Sequence, residues 1–426
     1  MMGPTLIFDK STLQSLNPDE AMWLDNFYIS NITPLFFVET LADLEKEMRT
    51  GRTPEQIVGN LAYKTPDTGC VNTHHENLLF GELTGQGIVE MSGRPVLSGG
   101  QTMKLGNETG IIFREPPEIE AFQRWQKHEF LEIERTIAKK WREGLKSATS
   151  EEIFKLFKQF FSLSGTPKSL DELKGLVDKI IDNPNQREFF IFGLSVIGVL
   201  PEAQKSILER WEKSGKKPIR EFSPYFTYVL SIDLFYYLGT ASNLFSNFRH
   251  SQTHKIDIAY LYYLPFCKIF VSNDKIHSGI TSFFLRPDQT FINGIDFKAD
   301  LVKLDQHYSV LPEEVKNRGV VTFASIPPDD TSFLVSQMWD KYMATTWRNL
   351  NTKKFDGTDK VDPETEKAIL EKIKKFAKEA KPVDQSTVVN SDDAHNMVVK
   401  HMVSKTKGKW RRFPPEVENS NTRILD

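Results

Sequence analysis

The apolar run Leu6-Ile7-Phe8 ends at a carboxylate, Asp9, with a hydroxyl pair, Ser11 and Thr12, just behind it. A run this short and this apolar suits a strand buried on both faces, the kind found in parallel sheets covered by helices. The exit into Asp9 would then place an acid at the carboxyl edge of that sheet. The pattern returns. Leu35-Phe36-Phe37-Val38 leads into Glu39 at a helix start, and Ile269-Phe270-Val271-Ser272-Asn273 leads into Asp274. Asp257 opens an apolar helix that feeds directly into this last strand. Strand ends and following helix starts face one edge of a parallel sheet, so Asp9, Glu39, Asp257 and Asp274 are expected to converge.

Converging carboxylates repel, and a hard divalent cation resolves the repulsion. Mg²⁺ or Mn²⁺ on oxygen ligands can ionise a water and offset phosphate charge, which points to metal-assisted phosphodiester hydrolysis. A single strand-end aspartate more often serves as a turn or cap residue. Here four acids recur in matching contexts.

Three stretches carry a family resemblance. "FDKS" resembles the first-strand motif of PIN-like nucleases, "FFVETLADL" their second-acid helix, and "DIAYLYYLPFCKIFVSND" their third-acid helix and fourth-acid strand. The interval 274 − 257 = 17 residues suits one helix and one strand. The resemblance implies a PIN-like doubly wound α/β/α sandwich that cuts nucleic acid with Mg²⁺ or Mn²⁺. It makes Asp9, Glu39, Asp257 and Asp274 the metal-binding acids and Ser11 an accessory hydroxyl, with RNA favoured over DNA as substrate. Toxin, defence effector and RNA processing all remain open as settings.

The interval 257 − 39 = 218 residues exceeds what a minimal domain of this kind needs. The expected organisation is a discontinuous core, residues 1–50 and 250–350. Between them lies a mainly helical insertion, 51–249, with a Gly-rich hairpin or loop segment, which could be a lid, a substrate clamp or a protein-partner surface. A charged helix and basic tail follow at 351–426. Within the insertion, Phe122, Trp125, Ile133, Ile137 and Trp141 suggest one helical face over 118–145, and helices are also expected over 150–163, 169–182, 186–200 and 224–245.

Several side chains admit two readings. His250, His254 and His277, with Arg249 and Lys255, lie near the third and fourth acids in sequence. They could bind phosphate or relay protons, or be polar surface and caps. Six cations from Lys400 to Arg412, including Arg411 and Arg412, surround Trp410 with no acid between. They could contact nucleic acid, Trp410 stacking on a base, or form a mobile, solubilising tail. Asp233 in its aromatic helix reads as a buried acid satisfied by tyrosine hydroxyls. Cys70, His74, His75 and Glu76 do not match a closed zinc site.

Net charge is −3, so no overall basic field advertises nucleic acid. Two cysteines cannot build a disulfide framework, and no signal-peptide pattern opens the sequence, so a cytoplasmic setting is expected. The apolar stretches at 189–200 and 224–245 are too short or carry Asp233, so no membrane span is expected. Two rival functions remain. One is a small-substrate phosphohydrolase using the same acids; the other is a non-catalytic PIN-like scaffold.

Overall fold

The computed structural model describes residues 3–67, 69–87, 89–113, 116–145, 166–245, 254–352, parts of 364–383, and 404–415. Ten strands occur among them: β1 Thr5–Phe8, β2 Ile29–Ile32, β3 Cys70–Val71, β4 Gly100–Leu105, β5 Glu108–Phe113, β6 Ile269–Ser272, β7 Thr290–Asn293, β8 Lys381–Pro382, β9 Thr406–Lys407 and β10 Trp410–Arg411. Five form the central sheet, in the order β3-β2-β1-β6-β7, and every pairing is parallel. The chain builds outward from β1 on one side to β3, then crosses to β6 and builds outward to β7. The order therefore reverses between β1 and β6, where doubly wound sheets open a crevice at their carboxyl edge. Register brings the two strand ends level there, with Phe8 opposite Val271.

Local sequence explains the crossovers. Pro18–Phe27 starts with Asn17 and Glu20 in a reciprocal capping box and Pro18 in its first turn. Thr53 and Gln56 do the same for Pro54–Lys64. Pro34 opens the helix Pro34–Ala42 immediately after β2.

The strands alternate between two cores, as a sheet buried on both faces requires. Leu6, Phe8, Ile269 and Val271 join one cluster with Trp23, Phe36, Leu301 and Trp339. Ile7 and Phe270 join the other, with Phe189, Phe190, Phe226, Leu230 and Tyr263. That second core is built by the helices Leu170–Ile181, Gln186–Val196, Pro201–Lys213 and Pro224–Ala241. The expected insertion 51–249 is thus not a separate unit: its helices share a core with the sheet and form one layer of the sandwich. It also supplies β3, whose two residues carry too little pattern to be read as a strand. No described helix is long and apolar enough to cross a membrane.

Other expectations shift as well. The single helix expected over 118–145 breaks into Pro117–Gln126 and Glu132–Leu145, with His128 left-handed at φ 59° between them. The break rotates the second segment, so Phe122 and Trp125 are buried while Ile133 is 61% exposed. The helix expected over 150–163 lies outside the described residues. The Gly-rich segment does form a hairpin, β4–β5, turning at Gly106 with φ 61°, and β8 pairs antiparallel with β4.

The C-terminal segment is docked where a mobile tail was expected. The β9–β10 hairpin buries Trp410 against Trp23, with ring centroids 4.8 Å apart, and the indole N–H donates to Asp305 at 2.7 Å. Lys407 is buried and donates to the Thr65 carbonyl at 2.8 Å. Arg412 is buried as well and forms ion pairs with Asp25 and with Asp67, the latter at 3.0 Å. A basic run reads as solvated because its acidic partners lie more than one hundred positions away.

Candidate active site

The four acids stand on the elements that frame the crevice. Asp9 directly follows β1 and is the N-cap of the helix Lys10–Ser15. Its Oδ1 accepts the Thr12 amide at 2.8 Å, and its Oδ2 accepts the hydroxyls of Ser272 at 2.6 Å and Ser11 at 3.0 Å. Asp274, just beyond β6, is also an N-cap, its Oδ1 accepting the Ile276 amide at 3.0 Å. Both residues therefore spend an oxygen on a cap, the role strand-end aspartates usually have. Each carboxylate retains lone pairs beyond the cap bond.

Glu39 lies on Pro34–Ala42, and its Oε2 accepts the hydroxyl of buried Tyr260 at 2.7 Å. Tyr260 and Asp257 share the helix His254–Tyr260, three positions apart and hence on neighbouring faces. Burial, joined by the charges of Asp257 and Asp9, pushes the Glu39 carboxyl up to about 8, against the pull of Lys10 and of the Tyr260 hydroxyl. Burial, then Glu39, Asp9 and Asp257, hold the Tyr260 phenol well above its ordinary range, so it stays a donor. Glu39 and Tyr260 thus both sense the charges of Asp9 and Asp257. Asp274 is tied to the group differently: its amide donates to Ser272 Oγ at 2.9 Å.

Lys10 is buried beside these acids, its ammonium 2.7 Å from Asp43 and 3.3 Å from Glu47. Burial lowers its pKa, but Glu39, Asp43 and Glu47 raise it by more, and the balance lies above the ordinary lysine value. A cleft of about 580 Å³ runs from Ser11 and Glu39 past Lys10 to Lys46, Arg52 and Lys64, with Ile57 and Leu61 on its wall.

The other expected site residues divide. His277 is only 1% exposed, so it cannot meet a substrate as expected; its Nδ1 lies 2.7 Å from Ser272 Oγ. Its Nε2 lies 2.7 Å from the Asp257 carbonyl, which can only accept, so Nε2 carries a proton. Lys255 faces Asp233 and the Tyr262 hydroxyl, not the crevice, and Asp233 is the satisfied buried acid expected. Arg412 is withdrawn into its ion pairs, and Arg411 sits in the same docked hairpin. Arg249 and His250 lie outside the described residues. His254 starts the third-acid helix, and its side chain also lies outside them. Sequence reasoning missed Lys10, Tyr260 and Ser272. Each had a positional signal: next to Asp9, three after Asp257 and two before Asp274.

An all-oxygen donor set suits a hard divalent cation in its chemistry. The buried Asn273 Oδ1, between Ser272 and Asp274, adds an oxygen that finds no hydrogen-bond partner among the described residues. As posed, no three His, Cys, Asp or Glu side chains among the described residues stand close enough to enclose an ion. The fit is thus one of donor type and placement. The fold and this site define an α/β protein with acids on the elements around the reversal point of a parallel sheet. No family model, curated protein or solved structure matches the chain.

Proposed function

We propose that this crevice is the active site of a PIN-like nuclease that hydrolyses phosphodiester bonds with Mg²⁺ or Mn²⁺, RNA favoured over DNA. The observation that carries the reading is the grouping of Asp9, Glu39 and Asp257, each raising the cost of ionising Glu39 or its hydroxyl partner, at the point where strand order reverses. Asp9, Glu39 and Asp257 would hold the ion, with Asp274 approaching from the β6 side. When bound, the ion supplies an ionised water and offsets charge on the phosphate. The chain's own groups do the rest. Ser11, exposed at the mouth, would donate to a phosphate oxygen by turning its hydroxyl away from Asp9. Lys46 and Arg52 along the cleft suit the phosphates of an extended strand, and Ile57 and Leu61 give a base an apolar wall.

The test is cleavage of labelled single-stranded RNA and DNA oligonucleotides, and of a small phosphodiester, by the parent and by Asp9→Asn with Mn²⁺, Mg²⁺ or chelator. The reading expects metal-dependent cutting of a polymer that Asp9→Asn abolishes. Cleavage of the small ester alone would make the protein a small-substrate phosphohydrolase, and chelator-resistant cutting would discard the metal site.

A further inference from the structure

Two fully buried side chains reach more of the acid-bearing segments than any catalytic role requires of them. Ser272 is 0% exposed and His277 1% exposed, so neither meets solvent or substrate. Ser272 Oγ nevertheless has three partners: it donates to Asp9 Oδ2, accepts the Asp274 amide, and lies against His277 Nδ1. From its other nitrogen His277 donates to the Asp257 carbonyl. One imidazole and one hydroxyl thus tie together β1, β6, the Asp257 helix and the start of the Asp274 helix. The ring is itself wedged edge-on between Phe270 and Tyr260, with centroids 5.1 and 6.0 Å away. A hydroxyl on a free rotor would leave Asp9 able to turn about its own side chain. With its one proton on Asp9, the hydroxyl is held by the locked ring through an Nδ1–H donor, and that arrangement fixes the direction of the remaining Asp9 lone pairs.

We propose that Ser272 and His277 are positioning residues, which preset the Asp9 carboxylate toward the crevice and hold its spacing to Asp257. The inference rests on the nuclease reading for its chemical purpose. Outer-shell partners of this kind, when removed, commonly cost roughly 10–100-fold in metal affinity or activity. A purely structural role would instead show in stability alone.

The experiment measures Mn²⁺ affinity by calorimetry without substrate, beside melting temperature, for the parent, Ser272→Ala, Ser272→Thr and His277→Gln. Ser272→Ala is expected to weaken Mn²⁺ binding roughly 10–100-fold with only a small change in melting. Ser272→Thr keeps the hydroxyl and should restore most of the affinity. His277→Gln guards against collapse of the pocket and should fall between them, because its amide can still donate toward the Asp257 carbonyl. Parent-like affinity in Ser272→Ala overturns the inference. If the parent itself binds no Mn²⁺, the nuclease reading fails, and the positioning claim is decided by nuclear magnetic resonance of the His277 ring in chelator. Asp9→Asn should then move the Nδ1 signal in the parent and move it much less in Ser272→Ala. An Nδ1 signal blind to Asp9→Asn shows that the three groups do not act as a chain, and overturns the inference without reference to metal.

Discussion

Carboxylates gather at both edges of the central sheet, and the two gatherings behave differently. Near the amino ends of β2 and β3, Asp25 and Asp67 meet Lys407 and Arg412, two acids against two cations, with every side chain at most 3% exposed. At the carboxyl ends, Glu39 senses Asp9 and Asp257, and the cation beside Glu39, Lys10, is shared with Asp43 and Glu47. Buried charge must be matched by opposite charge or be driven toward its neutral form. The first cluster takes the former course and serves as a clasp for the C-terminal hairpin. The second takes the latter course in part: burial raises Glu39 toward its neutral form even with Lys10 beside it. Clustered acid therefore does not by itself mark a site; the local balance of cations does.

The largest difference between the clusters should appear on cutting one acid or one cation from each. Asp9→Asn is expected to abolish cleavage while the melting temperature in chelator stays level or rises, because asparagine still caps a helix and a repelling charge is gone. Arg412→Ala is expected to do the reverse. It strands Asp25 and Asp67 against Lys407 alone and should cost about 3–5 kcal/mol in chemical denaturation, with unchanged cleavage per folded molecule. A loss below about 1 kcal/mol, the range of exposed pairs, would mean that the amino-edge cluster is no clasp.

The contrast also separates what could be read from sequence. Asp9 and Asp274 were legible because a short apolar run and a helix cap are local signals, complete within ten residues. Glu39 was expected at a helix start after an apolar entry, but the helix already begins at Pro34, so Leu35–Val38 are helical and Glu39 lies within it. The clasp was not, since Lys407 finds Asp25 across 382 positions and nothing near either residue records the pairing. Nor was the role of 170–241 as a sandwich layer. Amphipathic spacing tells that a helix buries a face, not that the face meets Ile7 and Phe270. His277 was assigned to substrate by sequence proximity to Asp274, but the ring turns inward to Ser272.

A smaller effect should distinguish the clusters by pH. Glu39 is pushed up to about 8 in the folded chain, whereas an unfolded glutamate titrates near 4.5. Between those values the folded state holds a proton that the unfolded state has lost, so this contribution to stability is full below about 4.5 and disappears as pH rises through about 8. Denaturant titrations in chelator should therefore show stability falling across that window, and Glu39→Gln should flatten the fall. Mn²⁺ should bind more tightly at the upper end, where the carboxylate is free. A slope that persists in Glu39→Gln would assign the pH response to another group.

The smallest expected effect concerns which cations meet a nucleic acid. Lys46 and Arg52 are exposed along the cleft that starts at Ser11 and Glu39, whereas Lys409 is exposed on the C-terminal hairpin, 2.6 Å from Asp305. Each lysine or arginine that neutralises a phosphate of a single strand adds roughly 0.7 to the slope of log affinity against log salt. Removing Lys46 or Arg52 should lower that slope by about this amount, measured by fluorescence anisotropy with a labelled RNA in Ca²⁺ or chelator to prevent cutting. Lys409→Ala should leave it unchanged, because that ammonium lies outside the cleft. Equal drops for all three would mean diffuse binding over the whole surface, and the division of labour between the two edges would not extend to the substrate. A drop for Lys409 alone would return nucleic acid contact to the basic C-terminal run and leave the cleft to a smaller ligand.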